Sequence, residues 1–194
     1  DEAEVLEALL AEDSPTSYKH PQAYAPFEYI PGHASRFRPA HQPGYWYGAQ
    51  TREAALSEIS YWRMKFLLDT SAGSKIESIQ QHSVFQLDVE GQGINLMAAP
   101  WDSLRETWRH GSDYSATHAL AEAAIGVGVQ WIQYESVRAP CSHLAVVFTP
   151  HALHGDTETV NASIQEWVCK ANMDRVVWYD EKNGESMTWT KGGE

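Results

Sequence analysis

The sequence has few cysteines, few basic residues and no long apolar run, and each shortage excludes a class of protein. Cys141 and Cys169 are the only cysteines among 194 residues, too few for a disulfide-built scaffold, so a reducing, cytoplasmic location is expected. No stretch reaches the ~18 consecutive apolar residues that span a membrane. Lysine and arginine number 14 against 26 acidic residues, and the net charge of −12 argues against direct nucleic-acid binding.

Two cofactor-binding patterns are also missing. Gly126 and Gly128 follow a predicted helix, whereas a Gly-rich phosphate loop opens one. His151 and His154 have the spacing of a zinc-binding pair, but zinc needs further ligands and only Asp156 lies near them in the sequence. We therefore predict no metal site.

The hydrophobic pattern predicts an α+β domain over residues 15–194, preceded by a short acidic amphipathic helix over residues 1–14. The apolar side chains on one side of this helix are Val5, Leu6, Leu9 and Leu10. A hydrophobic content of 43% provides enough apolar side chains for a sizeable core.

Helices and strands alternate along the predicted domain. Thr51 is a suitable N-cap for a helix that reaches about residue 68, and two more helices are expected over residues 101–108 and 115–125. The apolar stripe predicted for the first of these is Ala55, Ile59, Trp62 and Phe66. Strands are predicted over residues 45–49, 84–89, 129–137, 144–149 and 160–168, and a hairpin over residues 175–190 turns at Asn183 and Gly184. Residues 15–43, apart from short strands, and residues 73–83 are predicted to be loops or linkers.

Polar residues that suit an anionic ligand lie before and within the predicted strand over residues 45–49. The Arg36 guanidinium offers donors in a planar fork that matches phosphate oxygens, although a loop arginine can equally well face solvent. Arg38 would project to the same side in an extended segment, so the pair would suit a pyrophosphate. The Tyr47 ring either packs in the core or stacks on a flat ligand such as nicotinamide.

Glu58 lies at the edge of the predicted helical stripe, three residues after Ala55 and four before Trp62. A carboxylate at such an edge is partly desolvated, which is unfavourable unless the carboxylate is paired. It could pair with Arg52 or Arg63 as an ordinary boundary residue, or it could face a ligand.

Ordered landmarks over residues 36–150 resemble the RES domain, a family named for its Arg, Glu and Ser. The landmarks are Arg36-Phe37, Trp46-Tyr47-Gly48-Ala49, Ala55-Leu56-Ser57-Glu58, Tyr134-Glu135-Ser136-Val137-Arg138 after Gly128, and the strand Leu144-Ala145-Val146-Val147-Phe148. The resemblance rests on the order of the set, since no single landmark is specific.

The resemblance implies an ADP-ribosyltransferase-like fold, with a split β-sheet core and flanking helices. It also implies a bacterial toxin that consumes NAD⁺, slows growth and is neutralised by a cognate antitoxin. By this likeness Arg36 would hold the pyrophosphate, Arg38 would add a phosphate contact and Tyr47 would line the nicotinamide pocket. Glu58 would be the catalytic carboxylate, and Ser136 would hydrogen-bond near the nicotinamide or its ribose.

The sequence departs from the family pattern at several positions. Ser35 stands where the family often has Gly, and Glu135 precedes Ser136 where a Pro or small residue is common. On a strand, Glu135 would point away from Ser136 and from the ligand. Some members use an upstream aromatic or basic residue, for which the candidates here are Tyr18, His20 and Tyr24.

Several functions remain open at this stage. Within the NAD⁺-consuming toxin hypothesis, ADP-ribose could pass to water, to phosphate or to a cellular protein. A non-enzymatic module that sequesters a protein partner is the main alternative. A glycosidase-like hydrolase that uses Glu58 with a second acid is a third possibility.

Overall fold

Two four-stranded β-sheets and the helices packed on them form the part of the chain that the computed structural model describes, residues 20–70 and 77–191. The predicted α+β class is confirmed. The ADP-ribosyltransferase-like arrangement stays a prediction. The helix expected over residues 1–14 and the candidate Tyr18 lie outside the described residues.

The first sheet has the strand order β1-β6-β5-β4. Its strands are β1 (Trp46–Ala49), β4 (Gly93–Asn95), β5 (Trp131–Glu135) and β6 (His143–Val147). β6 pairs antiparallel with both β1 and β5, and β4 runs parallel to β5. Ile132 and Val146 are fully buried and anchor the core of this sheet together with Phe37.

The second sheet is antiparallel throughout, with the order β10-β9-β8-β2. Its strands are β2 (Ser78–Val84), β8 (Gln165–Ala171), β9 (Arg175–Tyr179) and β10 (Ser186–Thr190). The predicted closing hairpin is confirmed, and the Asp180 carboxylate stabilises its turn by accepting from the main-chain N–H of Lys182 and Asn183. A separate pair joins β3 (Asp88–Val89) to β7 (Leu153–His154).

The helices of the described residues confirm part of the predicted order. They are α1 (Pro21–Glu28), α2 (Arg52–Thr70), α3 (Arg105–Trp108), α4 (Ser115–Gly126) and α5 (Thr157–Ser163), with short 3₁₀ turns at Trp101–Leu104 and Pro150–Ala152. The predicted helices over residues 52–68, 101–108 and 115–125 correspond to α2, to the first 3₁₀ turn with α3, and to α4. Thr51 caps α2 as expected, because its Oγ1 accepts from the Ala54 N–H.

Four predicted segments are wrong. α1 lies within the region predicted as loops around short strands, and Pro21 at its first turn is compatible with a helix. α5 replaces the first half of the strand predicted over residues 160–168, because the Asp156 carboxylate caps it by accepting from Thr159 N–H at 2.6 Å. β2 occupies most of the predicted linker, and the strand expected over residues 84–89 is divided between the end of β2 and β3.

The buried side of α2 also differs from the prediction. Leu56, Met64 and Leu67 pack with the core of the second sheet, and Ala54 packs with the core of the first. The predicted stripe is largely exposed instead, with Phe66 at 61%. α2 carries apolar residues on more than one side, so periodicity alone does not select the buried one. The side of α2 that packs on the second sheet carries Ser60, whose small side chain leaves room for the indole of Trp178.

Ser60 provides a test of how α2 is attached to the second sheet. Its hydroxyl is fully buried, accepts from Trp178 Nε1 at 2.8 Å and donates to Leu56 O. Because Ser60→Ala leaves the indole N–H buried without an acceptor, we expect the free energy of unfolding to fall by about 1–3 kcal/mol in denaturant titrations. Exposed Ser186→Ala should stay within about 0.5 kcal/mol of the wild type. An equally small effect of Ser60→Ala would contradict this account.

Candidate active site

A cleft of about 260 Å³ lies between the first sheet and helix α2. Three residues predicted from separate parts of the sequence line it: Arg36, Tyr47 and Glu58. Arg36 comes from the turn before β1, Tyr47 from β1 itself, and Glu58 from the second turn of α2. The structure therefore brings together the guanidinium, the phenol ring and the carboxylate that the sequence singled out.

The Glu58 carboxylate is held in place by Ser136. Ser136 Oγ donates to Glu58 Oε1 at 2.6 Å and is itself fully buried. The same oxygen accepts from the main-chain N–H groups of Arg138 and Ala139 at 3.0 and 2.8 Å. Because those two donors occupy its lone pairs, the hydroxyl hydrogen points to the carboxylate. Ser136 does not line the cleft, so its contact with the cleft passes through Glu58.

Glu58 faces the cleft without a basic partner among the described residues. Within the described residues it forms no ion pair, and neither Arg52 nor Arg63 pairs with it. Arg52 instead contacts Glu53 and Glu185. The residue is half-buried and lines the cleft, so the carboxylate has a fixed direction without a neutralising cation.

Arg36 is oriented by main-chain oxygens. Its Nη1 donates to Trp108 O and His110 O, each at 2.9 Å, and its guanidinium lies 5.1 Å from the centre of the Tyr114 ring. Thr117 Oγ1, in the first turn of α4, donates to the Arg36 carbonyl. No described residue accepts from Nε or Nη2 of Arg36. These donors remain for an anion.

Tyr47 turns its hydroxyl towards the protein. Its oxygen lies 2.8 Å from Ser35 Oγ and accepts from Phe37 N–H at 3.4 Å. Burial of the hydroxyl end raises the pKa of Tyr47 to about 12, so the phenol is neutral at physiological pH. The residue as a whole is 36% exposed, and its ring contributes a flat wall to the cleft.

Arg38 does not share the cleft with Arg36, and the prediction that both project to one side is wrong. The chain bends sharply here, and Ser35 and Arg38 exchange main-chain hydrogen bonds. Arg38 is 3% exposed, and its guanidinium donates to the carbonyls of His33, Pro39 and Gln42. It is a structural residue of the turn that presents Arg36.

The upstream candidates also lie outside the cleft lining. His20 bonds to Asn161 at 3.0 Å and packs beside Phe85. Tyr24 meets the edge of Phe27 within α1. Neither residue contributes to the wall of the cleft.

Arg138 is a cleft residue that the sequence reasoning missed. Its guanidinium carbon lies 3.5 Å from the centre of the Tyr61 ring, and its Nη2 donates to Gly111 O at 3.3 Å. The Tyr-x-Ser-Val-Arg landmark contained Arg138, but no ligand role was given to it. Trp62 and Tyr114 also line the cleft without having been predicted there.

The cleft is locally cationic in an acidic chain. Among the described residues that line it, Arg36 and Arg138 are the cations and Glu58 is the acid. Glu135 faces away, as strand alternation predicted, and pairs with Arg105 and Arg109. This distribution suits a ligand that carries more than one negative charge and presents a positive centre to Glu58.

Comparison with protein families identifies the chain. The RES domain family model matches residues 12–169, most of the chain, and the protein therefore belongs to the RES domain family. This family is associated with toxin–antitoxin systems and is generally linked to NAD⁺-using toxins. No match to a curated protein was found.

The described residues meet neither the requirements of a membrane-spanning helix nor those of a metal site. No helix among them is both long and apolar enough to cross a membrane. No three His, Cys, Asp or Glu side chains among residues 20–70 and 77–191 are grouped so that they could hold a metal ion.

The Glu135–Arg105 pair supplies a pH-dependent prediction. Two hydrogen bonds from Arg105, at 2.7 and 2.8 Å, lower the pKa of Glu135, and the Arg109 charge acts in the same direction against burial. A lowered folded-state pKa means that the pair stabilises the fold above the ordinary glutamate pKa of about 4.3 and loses this contribution as pH falls through the lower value.

We expect Glu135→Gln to lower the free energy of unfolding at pH 7 by about 1.5–3 kcal/mol, with a smaller difference from the wild type near pH 3. Denaturant titrations at several pH values measure this. Glu106→Gln is the control, because Glu106 is 85% exposed and only approaches Arg109 at 3.6 Å. If Glu135→Gln lowered the free energy of unfolding as much near pH 3 as at pH 7, the ionic explanation would be contradicted.

Proposed function

We propose that this protein is the toxin of a bacterial toxin–antitoxin pair and that it binds NAD⁺ and breaks the bond between nicotinamide and ribose. The observation that carries the proposal is the convergence of Arg36, Tyr47 and Glu58 on one cleft, with Glu58 held by Ser136. The family's association with NAD⁺ processing and with antitoxin partners supports the same conclusion.

In this proposal each cleft residue has a separate role in binding. The free donors of Arg36 hold an oxygen of the pyrophosphate, for which a guanidinium fork is well matched. The Tyr47 ring packs on the nicotinamide, and its neutral hydroxyl keeps the ring in place through Ser35. Together these contacts place the nicotinamide ribose beside Glu58.

Glu58 acts on the bond that breaks. As the C1′–N bond of the nicotinamide ribose lengthens, its electron pair leaves with nicotinamide, and positive charge develops on the ribose. A preorganised carboxylate stabilises that charge or orients the incoming nucleophile through a ribose hydroxyl. An acceptor oxygen or nitrogen then bonds to C1′ and gives up its proton. Because Ser136 fixes the carboxylate before the reaction, little reorganisation is needed.

The acceptor can be water, phosphate or a side chain of a cellular protein, and one experiment separates transfer to protein from the other two outcomes. Purified protein is mixed with NAD⁺ labelled in its adenosine half and with bacterial lysate. Label on a discrete protein band supports transfer of ADP-ribose to that protein. Rapid loss of NAD⁺ without labelled protein supports degradation. Intact NAD⁺ in this mixture would contradict the proposed reaction, and a cognate antitoxin should suppress whichever activity is found.

Substitution of Glu58 tests its role directly. We expect Glu58→Gln to reduce nicotinamide release from NAD⁺ by at least about 10²-fold in kcat, with a smaller change in KM, because it removes charge needed mainly in the transition state. Arg36→Ala should instead raise KM, because it removes a binding contact. Glu53→Gln is the matched control, since Glu53 lies on α2 five residues earlier, pairs with Arg52 and does not line the cleft. Full activity of Glu58→Gln would reject the site.

Ser136 is expected to be a positioning residue. Ser136→Ala removes the donor to Glu58 Oε1, so we expect kcat to fall by about tenfold or more while KM changes little. Ser136→Thr keeps the hydroxyl and should recover part of kcat. A large KM increase with unchanged kcat would indicate that Ser136 contacts substrate instead.

A further inference from the structure

The size of the cleft leaves part of a dinucleotide outside it. Its volume of about 260 Å³ is below the about 300–1,000 Å³ that encloses a drug-sized ligand. If the nicotinamide ribose lies beside Glu58, the second nucleotide must therefore lie against other residues that line the cleft and extend beyond them. Candidates for this second site are lining residues whose side chains match a phosphate and a base.

At one part of the cleft, three side chains contact one another in turn: Arg138, Tyr61 and Trp62. The Arg138 guanidinium lies 3.5 Å from the centre of the Tyr61 ring, and the rings of Tyr61 and Trp62 meet edge to face at 5.4 Å and 78°. Arg138 and Trp62 both line the cleft. Tyr61 thus contacts both the cation and the indole.

Most side-chain N–H donors of Arg138 are available to bind an anion. Its main-chain N–H donates to Ser136 Oγ, so its backbone is fixed to the same hydroxyl that orients Glu58. Its side chain has a single long hydrogen bond, from Nη2 to Gly111 O at 3.3 Å, and no acidic partner within the described residues. A guanidinium stacked on a ring directs its remaining N–H donors outward, which suits phosphate oxygens.

Trp62 presents a flat apolar surface beside this cation. It is 38% exposed, although a large indole is usually more deeply buried. It packs edge to face with Tyr61, and an exposed indole is a good platform for a planar base.

We propose that Arg138 and Trp62 form a subsite for the adenosine 5′-phosphate half of the dinucleotide, in which Arg138 binds the phosphate and Trp62 stacks on the purine. This assignment rests on the proposed function, because that function places the nicotinamide half beside Glu58. The subsite makes the far nucleotide a source of binding energy that the reacting end does not supply.

Adenosine 5′-monophosphate is the probe, because it lacks nicotinamide and its ribose. We expect calorimetric titration to show binding to the wild type, weakened about tenfold by Trp62→Leu and by at least about tenfold by Arg138→Gln. Trp62→Phe and Arg138→Lys, which keep a ring and a charge, should retain more affinity than Leu and Gln. Leu68→Ala on α2 and Arg175→Ala on β9 are exposed controls outside the cleft and should bind as the wild type does.

The subsite is overturned if the wild type does not bind this nucleotide, or if the Trp62 and Arg138 variants bind it normally. It is also overturned if Arg36→Ala alone abolishes binding. Nicotinamide release from NAD⁺, measured in parallel, separates this result from the proposed reaction. Nucleotide binding through both residues without nicotinamide release supports the subsite and rejects the reaction. Nicotinamide release with binding insensitive to both substitutions rejects only the subsite.

Discussion

The hydrogen bond from Ser136 to Glu58 is the contact on which the candidate site depends, because it joins two separately packed parts of the molecule. Most of the large buried side chains of α2 pack against the second sheet, whereas Ser136 follows the last residue of β5 in the first. The bond links α2 to the residue that follows β5. It also couples the direction of the carboxylate to the loop that carries Arg138.

The way in which the arginines are held explains how an acidic chain forms a cationic cleft. Arg36 and Arg138 are oriented by main-chain carbonyls, which fix geometry without cancelling charge. Arginines at other places in the fold, such as Arg52 and Arg105, pair with glutamates and contribute little field. The local potential therefore depends on which cations lack a carboxylate partner, and the net charge of −12 says little about it.

Prediction from sequence succeeded where a local rule decided the structure. The turn at Asn183 and Gly184 and the capping of α2 by Thr51 follow from local chemistry, and both are confirmed. Prediction failed where two local patterns favoured different structures for the same residues. The alternating residues around Val160 suited a strand, but the cap from Asp156 selects a helix. α2 is apolar on more than one side, and only its contacts with the sheets show which side is buried.

The sequence by itself determined the family, the α+β class and the residue types from which the site is built, because these are encoded in ordered landmarks and local periodicity. Only the tertiary structure decided that Arg38 is a buried turn residue, that Ser136 reaches the cleft through Glu58, and that Arg138 is its second cation. The physical reason is that a sharp turn at Ser35 and the pairing of distant elements set the directions of these side chains. Such directions depend on contacts between residues far apart in the chain, which no local pattern records.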